Sequence, residues 1–109
     1  MVEGRSHARM GTFEVPPAAL DEVVALFRDR VVPAFSRHEG FLGYEAFTDR
    51  DSGCYVGLSF WASREALDAS GDTAREARDE AAALGAVTVG TPRIMALAFD
   101  SRLPVAGRA

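Results

Sequence analysis

The stretch 52-SGCYVGLSFWAS-63 decides the fold, because it predicts a β-strand that is apolar on both faces. A strand with one face in water alternates apolar with polar residues. Here one face is mainly aliphatic and the other mixes aromatic rings with small residues, so both faces need cover. The two sets are Cys54, Val56, Leu58 and Phe60 on the first face and Tyr55, Gly57, Ser59 and Trp61 on the second.

The residues before this strand predict a strand, a helix and a hairpin. Residues 8–15 have strand character, and apolar residues at helical spacing then run from Ala18 to about Arg37. Pro33 lies inside this helix and should kink it or begin a separate final turn. Residues 41–48 predict the second strand, which the turn at 49–53 joins to the third.

The residues after this strand predict a broken helix and a last strand. Ser63 is a good N-cap, Gly71 interrupts the helix, and Thr73 with Glu76 has the spacing of a capping box for its restart. Residues 93–99 predict the last long strand, and residues 86–89 predict a short strand before it.

This order of elements predicts an α+β fold of the ferredoxin-like βαββαβ type, with a four-stranded antiparallel sheet. We assign residues 1–100 to this one domain and residues 101–109 to a C-terminal tail. Both helices pack on one face of such a sheet, and the other face stays bare although it is apolar. A second copy of the chain is the simplest cover, so we expect a homodimer with sheet packed against sheet.

Composition limits the classes of partner. The formal net charge is −4, which argues against nucleic acid or an anionic membrane surface. The single cysteine, Cys54, fits a reducing cytoplasm, and the N-terminal residues lack the apolar core of a signal peptide. No run is long enough to span a membrane. Two isolated histidines and one cysteine give no metal-ligand spacing, and the scattered glycines give no phosphate-binding loop.

Several motifs resemble the antibiotic biosynthesis monooxygenase (ABM) family of dimeric α/β barrels. They are Pro33, the Gly40-Phe41-x-Gly43 entry to the second strand, the turn at 49–53, Phe60-Trp61-x-Ser63 with Glu65-Ala66, and Ser70, Ala74 and Arg78 in the second helix. The resemblance covers about residues 8–99. It implies a monooxygenase-type oxidoreductase that acts on an aromatic, polyketide-type small molecule without a cofactor. The alternative is a non-catalytic dimer that binds an apolar small molecule.

The resemblance also implies a pocket between the helices and the sheet, lined by a tryptophan at the end of the third strand. Trp61 occupies that position, and Gly57 and Ser59 leave space beside it on the same face. An oxygenase of this kind needs an apolar pocket, a proton acceptor and a cation or donor for the developing anion. We therefore expect Trp61 to line a pocket on the helix side of the sheet.

Other residues are candidates for the remaining roles in this pocket. Tyr44 and Tyr55 would orient a substrate, unless their rings simply pack in the core. His38 would act as acid or base, or else it stabilises the end of the first helix. Arg9 and Arg93 would meet a substrate anion, unless they form surface ion pairs. The expected catalytic set is Trp61, His38 and Arg9, and the expected pocket set is Tyr44, Tyr55, Ser59 and Arg93.

The sequence departs from part of the family. The haem-degrading members, and some of the quinone-forming oxygenases, pair an asparagine with the tryptophan, and this chain contains no asparagine, which weakens the oxygenase hypothesis. The haem-degrading members also place their iron-ligating histidine on the second helix, where this chain has Ser70 and Gly71. Haem degradation by that mechanism is therefore not expected.

Overall fold

The computed structural model describes residues 4–101, so the predicted tail lies almost wholly outside the described residues. The strands are β1 (His7–Glu14), β2 (Phe41–Asp49), β3 (Cys54–Trp61), β4 (Val87–Thr88) and β5 (Arg93–Ala96). The helices are α1 (Leu20–Leu26), α2 (Val32–Phe35), α3 (Arg64–Ala69) and α4 (Gly71–Ala83). The predicted α+β, ferredoxin-like class is confirmed.

The sheet is antiparallel, with the order β2-β3-β1-β4. β5 pairs with β1 beside β4, because β4 meets the end of β1 and β5 meets its start. Two short strands thus share the fourth position of the predicted four-stranded sheet. The short strand before the last one is real, whereas the last strand is shorter than residues 93–99.

The first helical run accommodates Pro33 through a π-helical turn at Phe27–Val31 between α1 and α2. The amide of Val32 bonds the carbonyl of Phe27, five residues back. Pro33 has no N–H to donate to the preceding turn, and the wider turn relieves its clash there. The helical run continues from α1 to α2, but its hydrogen-bond pattern changes just before the proline.

The second helical run starts and breaks where the sequence predicts. The hydroxyl of Ser63 accepts a hydrogen bond from the amide of Ala66, which makes Ser63 the N-cap of α3. The break falls between Ala69 and Gly71. The prediction of a capping box is wrong, because Thr73 lies within α4 and its hydroxyl forms a hydrogen bond with Nε2 of His38 instead.

The hairpin between β2 and β3 closes at Gly53, whose φ is +72°. Glycine reaches this left-handed conformation without the steric cost that other residues meet. The carbonyl of Gly53 also accepts a 2.6 Å hydrogen bond from the amide of Val15, so the turn is fastened to the end of β1.

The two faces of the sheet differ as the alternation in β3 predicts. Odd positions from Tyr55 to Trp61 are all buried beneath the helices, whereas even positions from Cys54 to Phe60 are only partly buried. The register places Phe47 beside Val56 and Leu58 beside Met10 on the helix-free face. Phe47 is 58% exposed there. The helix-free face is therefore an open and largely apolar surface of the single chain, which also carries Glu45 beside Leu58 and Arg93 beside Met10.

Candidate functional site

A cavity of about 40 Å³ lies between the helix-covered face of the sheet and the helices. It has room for water, but an aromatic ligand needs more. Among its walls, Tyr44, Arg78 and Pro92 are only partly buried, so these are the side chains whose movement would admit a ligand. The wall residues are Arg9, Gly11, Phe13, Phe27, Phe35, Tyr44, Gly57, Ser59, Ala74, Ala77, Arg78 and Pro92.

The cavity, which we call the slot, is bounded by small residues on two sides. Gly11 of β1 pairs with Gly57 of β3 in the sheet wall, and Ala74 and Ala77 of α4 lie among the other wall residues. A Cβ at Gly57 would collide with the hydroxyl of Tyr44, so this hydroxyl occupies the space directly over Gly57. Movement of Tyr44 would therefore open space over the two paired glycines.

Tyr44 and Tyr55 join their hydroxyl groups through a 2.9 Å hydrogen bond at the edge of this slot. Tyr44 lines the cavity, while Tyr55 is fully buried behind it. Burial raises the pKa of Tyr44 far above its ordinary value, and the neighbouring Tyr55 raises it further. Burial likewise raises the pKa of Tyr55 to about 12. Both phenols therefore stay protonated at neutral pH, and Tyr44 cannot act as a base there. When Tyr55 donates the hydrogen bond within the pair, the hydroxyl proton of Tyr44 is free to be donated to a ligand.

Arg9 brings a buried cation to the cavity. Its guanidinium donates to the hydroxyl of Ser70 at 2.9 Å and to the carbonyl of Leu67 at 2.8 Å. Burial lowers the pKa of Arg9, nearby Arg78 lowers it further, and Asp68 opposes both. An arginine stays protonated at neutral pH even so. Ser70, the position at which the haem-degrading branch has its histidine, thus serves here to hold Arg9.

Arg78 is the charged lining residue that the candidate set lacks. It follows Ala77 and stands four residues after Ala74, so all three share one face of α4. The alanine stripe in the sequence therefore already indicated the face on which Arg78 lies. Within residues 4–101, Arg78 forms no hydrogen bond or ion pair. The cavity therefore holds a second cation that has no anionic partner among the described residues.

Trp61 lies on the helix-covered face, as predicted, but it does not itself line the cavity. Phe35, Phe41 and His38 surround the fully buried indole edge to face. Its Nε1 donates a 2.9 Å hydrogen bond to the hydroxyl of Ser59, which does line the cavity. Trp61 is thus packed one residue behind the wall, because the aromatic rings at the end of α2 fill the space above it.

His38 and Arg93 lie away from the cavity. His38 Nε2 is 2.8 Å from the hydroxyl of Thr73, which ties the end of the first helical run to α4. Arg93 pairs with Met10 on the helix-free face, opposite the cavity, and its side chain is exposed. Alternation along β1 places Arg9 and Met10 on opposite faces, so the expectation that Arg93 lines the pocket is wrong.

Three of the seven candidate residues, Arg9, Tyr44 and Ser59, therefore line one cavity. Tyr55 and Trp61 hold Tyr44 and Ser59 from behind through hydrogen bonds. Among the described residues, no group of three or more His, Cys, Asp or Glu side chains is placed to hold a metal ion. No helix within residues 4–101 has the length and apolar character needed to cross a membrane.

The sequence model of the antibiotic biosynthesis monooxygenase family matches residues 6–82. The chain belongs to this family. It is 37% identical over 76 residues to the uncharacterized protein Rv2558 of Mycobacterium tuberculosis strain H37Rv, a match that covers 70% of this chain and 32% of the relative. The chain thus spans about a third of the length of this curated relative.

Two solved structures share the fold. One is a monooxygenase from the gene ActVA-Orf6 of Streptomyces coelicolor in complex with nanaomycin D, with a TM-score of 0.69 and 22% identity over 93% of this chain and 94% of that one. The other is SnoaB, a cofactor-independent oxygenase from Streptomyces nogalater, with a TM-score of 0.54 and 21% identity over 94% of this chain and 100% of that one. At these sequence identities, the likeness shows that the fold is shared and nothing more.

Proposed function

We propose that this ABM-family chain is a cofactor-independent monooxygenase of an aromatic, polyketide-type small molecule. The observation that carries the proposal is the slot over Gly11 and Gly57, where Tyr44 and Arg9 reach one apolar space. The two structural neighbours, a monooxygenase in complex with nanaomycin D and a cofactor-independent oxygenase, support the same class of chemistry. The expected cytoplasmic location stays a prediction.

The proposed reaction takes its electrons from the substrate. For an anthrone, one oxygen atom of O₂ becomes the new carbonyl oxygen and the other leaves as water with the two hydrogens of the methylene carbon. The ring must first lose a proton. Arg9 would stabilise the anion that results, and Tyr44 would donate a hydrogen bond to its oxygen. The apolar walls would exclude water during the transfer of an electron to O₂.

We further propose that the chain acts as a homodimer through its helix-free face. Phe47, Met95 and Leu97 are more than a third exposed in the single chain, and they lie beside the partly buried even positions of β3. A second copy would bring an identical apolar surface to this face. A stable dimer of this kind buries at least about 1,200 Å² in total.

One observation favours the alternative of a non-catalytic binding domain. Within the described residues, the cavity wall has no carboxylate or histidine, and the pKa of Tyr44 is raised. No wall residue can then accept the first proton at neutral pH. A substrate that releases its proton directly to water, aided by the nearby guanidinium, needs no acceptor in the cavity wall. A substrate that needs a base from the protein would not react there.

The test is oxygen consumption by the purified protein with anthrone as substrate, followed by identification of anthraquinone. We expect uptake of one O₂ per anthrone at a rate well above the spontaneous reaction. Tyr44→Phe should reduce the rate about tenfold, because it removes the donor and keeps the ring. Thr48→Val, an exposed change on β2, is the control. Binding of anthrone without accelerated uptake would favour the non-catalytic domain.

A further inference from the structure

The cavity carries two cations and, among the described residues, no acid in its wall. Arg9 lies on β1 and Arg78 on α4, and the two are close enough that Arg78, after burial, lowers the pKa of Arg9. Two guanidinium groups at one apolar space repel each other more strongly than in water, since the dielectric constant is low there.

The contacts of Arg9 leave its charge uncompensated. Both groups that accept its hydrogen bonds, the hydroxyl of Ser70 and the carbonyl of Leu67, are neutral. They fix the guanidinium in place and satisfy part of its N–H groups, but they bring no negative charge. A buried charge without an anionic partner is costly, and a protein retains one where it has a use for the charge.

Asp68 is the acid that acts on Arg9, but it is already engaged elsewhere. Its carboxylate accepts from Nε of Arg64 at 3.0 Å, and both side chains of this pair are 54% exposed. Water screens the field of an exposed carboxylate. Arg78 forms no ion pair or hydrogen bond with any described residue. The net charge that faces the cavity is therefore positive.

We propose that the ligand of this cavity is a planar aromatic compound that carries an anionic oxygen, a carboxylate or an ionised phenol, and that Arg78 selects it by charge. This inference rests on the proposed function and names the substrate class of the same site. A planar guanidinium matches the two oxygens of a carboxylate, and it also stabilises a single phenolate oxygen. Arg9 would hold the anion from β1 and Arg78 from α4, while the ring enters the slot.

Arg78 is the residue to test, because its replacement should not unfold the protein. It is partly exposed on α4 and makes no hydrogen bond with described residues, whereas Arg9 is buried and bonded. The test variant is Arg78→Gln. The matched control is Arg75→Gln on the same helix, whose side chain is 60% exposed, lies outside the cavity wall and pairs with Asp72. Both variants lose one positive charge from α4.

The experiment is calorimetric titration with three probes that share one ring system: 2-naphthoate, its neutral amide 2-naphthamide, and 2-naphthol. We expect wild-type protein to bind 2-naphthoate at least tenfold more tightly than 2-naphthamide. Arg78→Gln should abolish most of this preference and leave the binding of 2-naphthamide unchanged, while Arg75→Gln keeps the preference. The appearance of naphtholate absorbance when 2-naphthol binds at neutral pH would identify an ionised phenol as the anion.

Each outcome decides between the proposals. Equal affinity for acid and amide, without naphtholate formation, overturns the charge selection and leaves the monooxygenase proposal standing on oxygen uptake. A preference that persists in Arg78→Gln overturns the role of Arg78. Failure of all three probes to bind overturns the aromatic site itself, and with it both proposals. Charge selection in a protein that consumes no oxygen supports this inference and contradicts the proposed monooxygenase activity alone.

Discussion

The two faces of β3 carry similar amounts of apolar material but have opposite surroundings. On the odd face, Tyr55 and Trp61 are 0% exposed, because α1 to α4 cover them. On the even face, Val56, Leu58 and Phe60 stay partly exposed to solvent. The chain thus completes one core within itself and leaves the other for a partner. The cavity lies on the completed face, where the small residues of β3 interrupt the packing.

The comparison predicts its largest effect for truncation on the covered face. Trp61→Ala removes a fully buried indole that three aromatic rings surround, so we expect a loss of about 3–5 kcal/mol in the free energy of unfolding. Because this core lies within one chain, the loss should not depend on protein concentration. Urea denaturation at two protein concentrations measures it. Trp61→Phe is the control, and a loss below about 1 kcal/mol for Trp61→Ala would contradict the packing.

A charge on the open face should act on assembly instead. Val56→Glu places a carboxylate opposite Thr12 and Phe47 on the proposed interface, and we expect the dimer dissociation constant to rise at least about a hundredfold, about 2.7 kcal/mol. Sedimentation equilibrium measures the constant. Thr48→Glu, an exposed change beside Tyr55 on β2, should leave the dimer intact. A wild-type chain that sediments as a monomer at micromolar concentration would refute the interface.

The two glycines at the floor of the slot should respond differently to the same added methyl group. Gly57→Ala drives a Cβ into the hydroxyl of Tyr44, so we expect a loss of about 1–3 kcal/mol in stability. Gly11→Ala meets only Phe13 at 3.7 Å and should change stability by less than about 0.5 kcal/mol while it narrows the cavity. Thermal unfolding distinguishes the two. Equal losses would mean that the floor is not packed as described.

The smallest effect concerns the tyrosine pair and depends on pH. Tyr44→Phe removes one hydrogen bond and should cost about 1 kcal/mol near pH 8. Folding raises the pKa of both phenols above the ordinary value of 10.0, and it raises the pKa of Tyr55 to about 12. Their contribution to stability is therefore complete below pH 10 and is lost as the pH rises toward 12 and beyond.

The measurement for the tyrosine pair is urea denaturation at a series of pH values from 8 to 12. Tyr44→Phe should show a shallower loss of stability above pH 10 than wild type, because one of the two phenols with a raised pKa is absent. Phe47→Leu, a change on the opposite face of the sheet from the pair, should keep the steeper slope. Identical slopes in wild type and Tyr44→Phe would show that ionisation of Tyr44 is not linked to unfolding.

The sequence by itself determined the ferredoxin-like order of elements, the position of Trp61 on the helix-covered face and the apolar character of the other face. These follow from local rules: a strand alternates with period two, Ser63 caps a helix, and Gly53 permits a tight turn. Arg9 and Ser59 were also predictable as residues of the cavity, since they lie on strands whose covered face that alternation identifies. Tyr44 shares the covered face with Phe41 only because the register of β2 shifts between Phe41 and Gly43.

Only the tertiary structure decided which side chains meet in the cavity. Phe35 contacts Trp61 because the end of α2 packs over the end of β3, and no local pattern in the sequence fixes that approach. Phe41 reaches Trp61 as its partner in the pairing of β2 with β3. The register of β5 on β1 sends Arg93 to the far face, and a shift of one residue would have reversed this. The meeting of Arg78 with Arg9 joins residues far apart in the sequence, so it depends on the packing of α4 against the sheet.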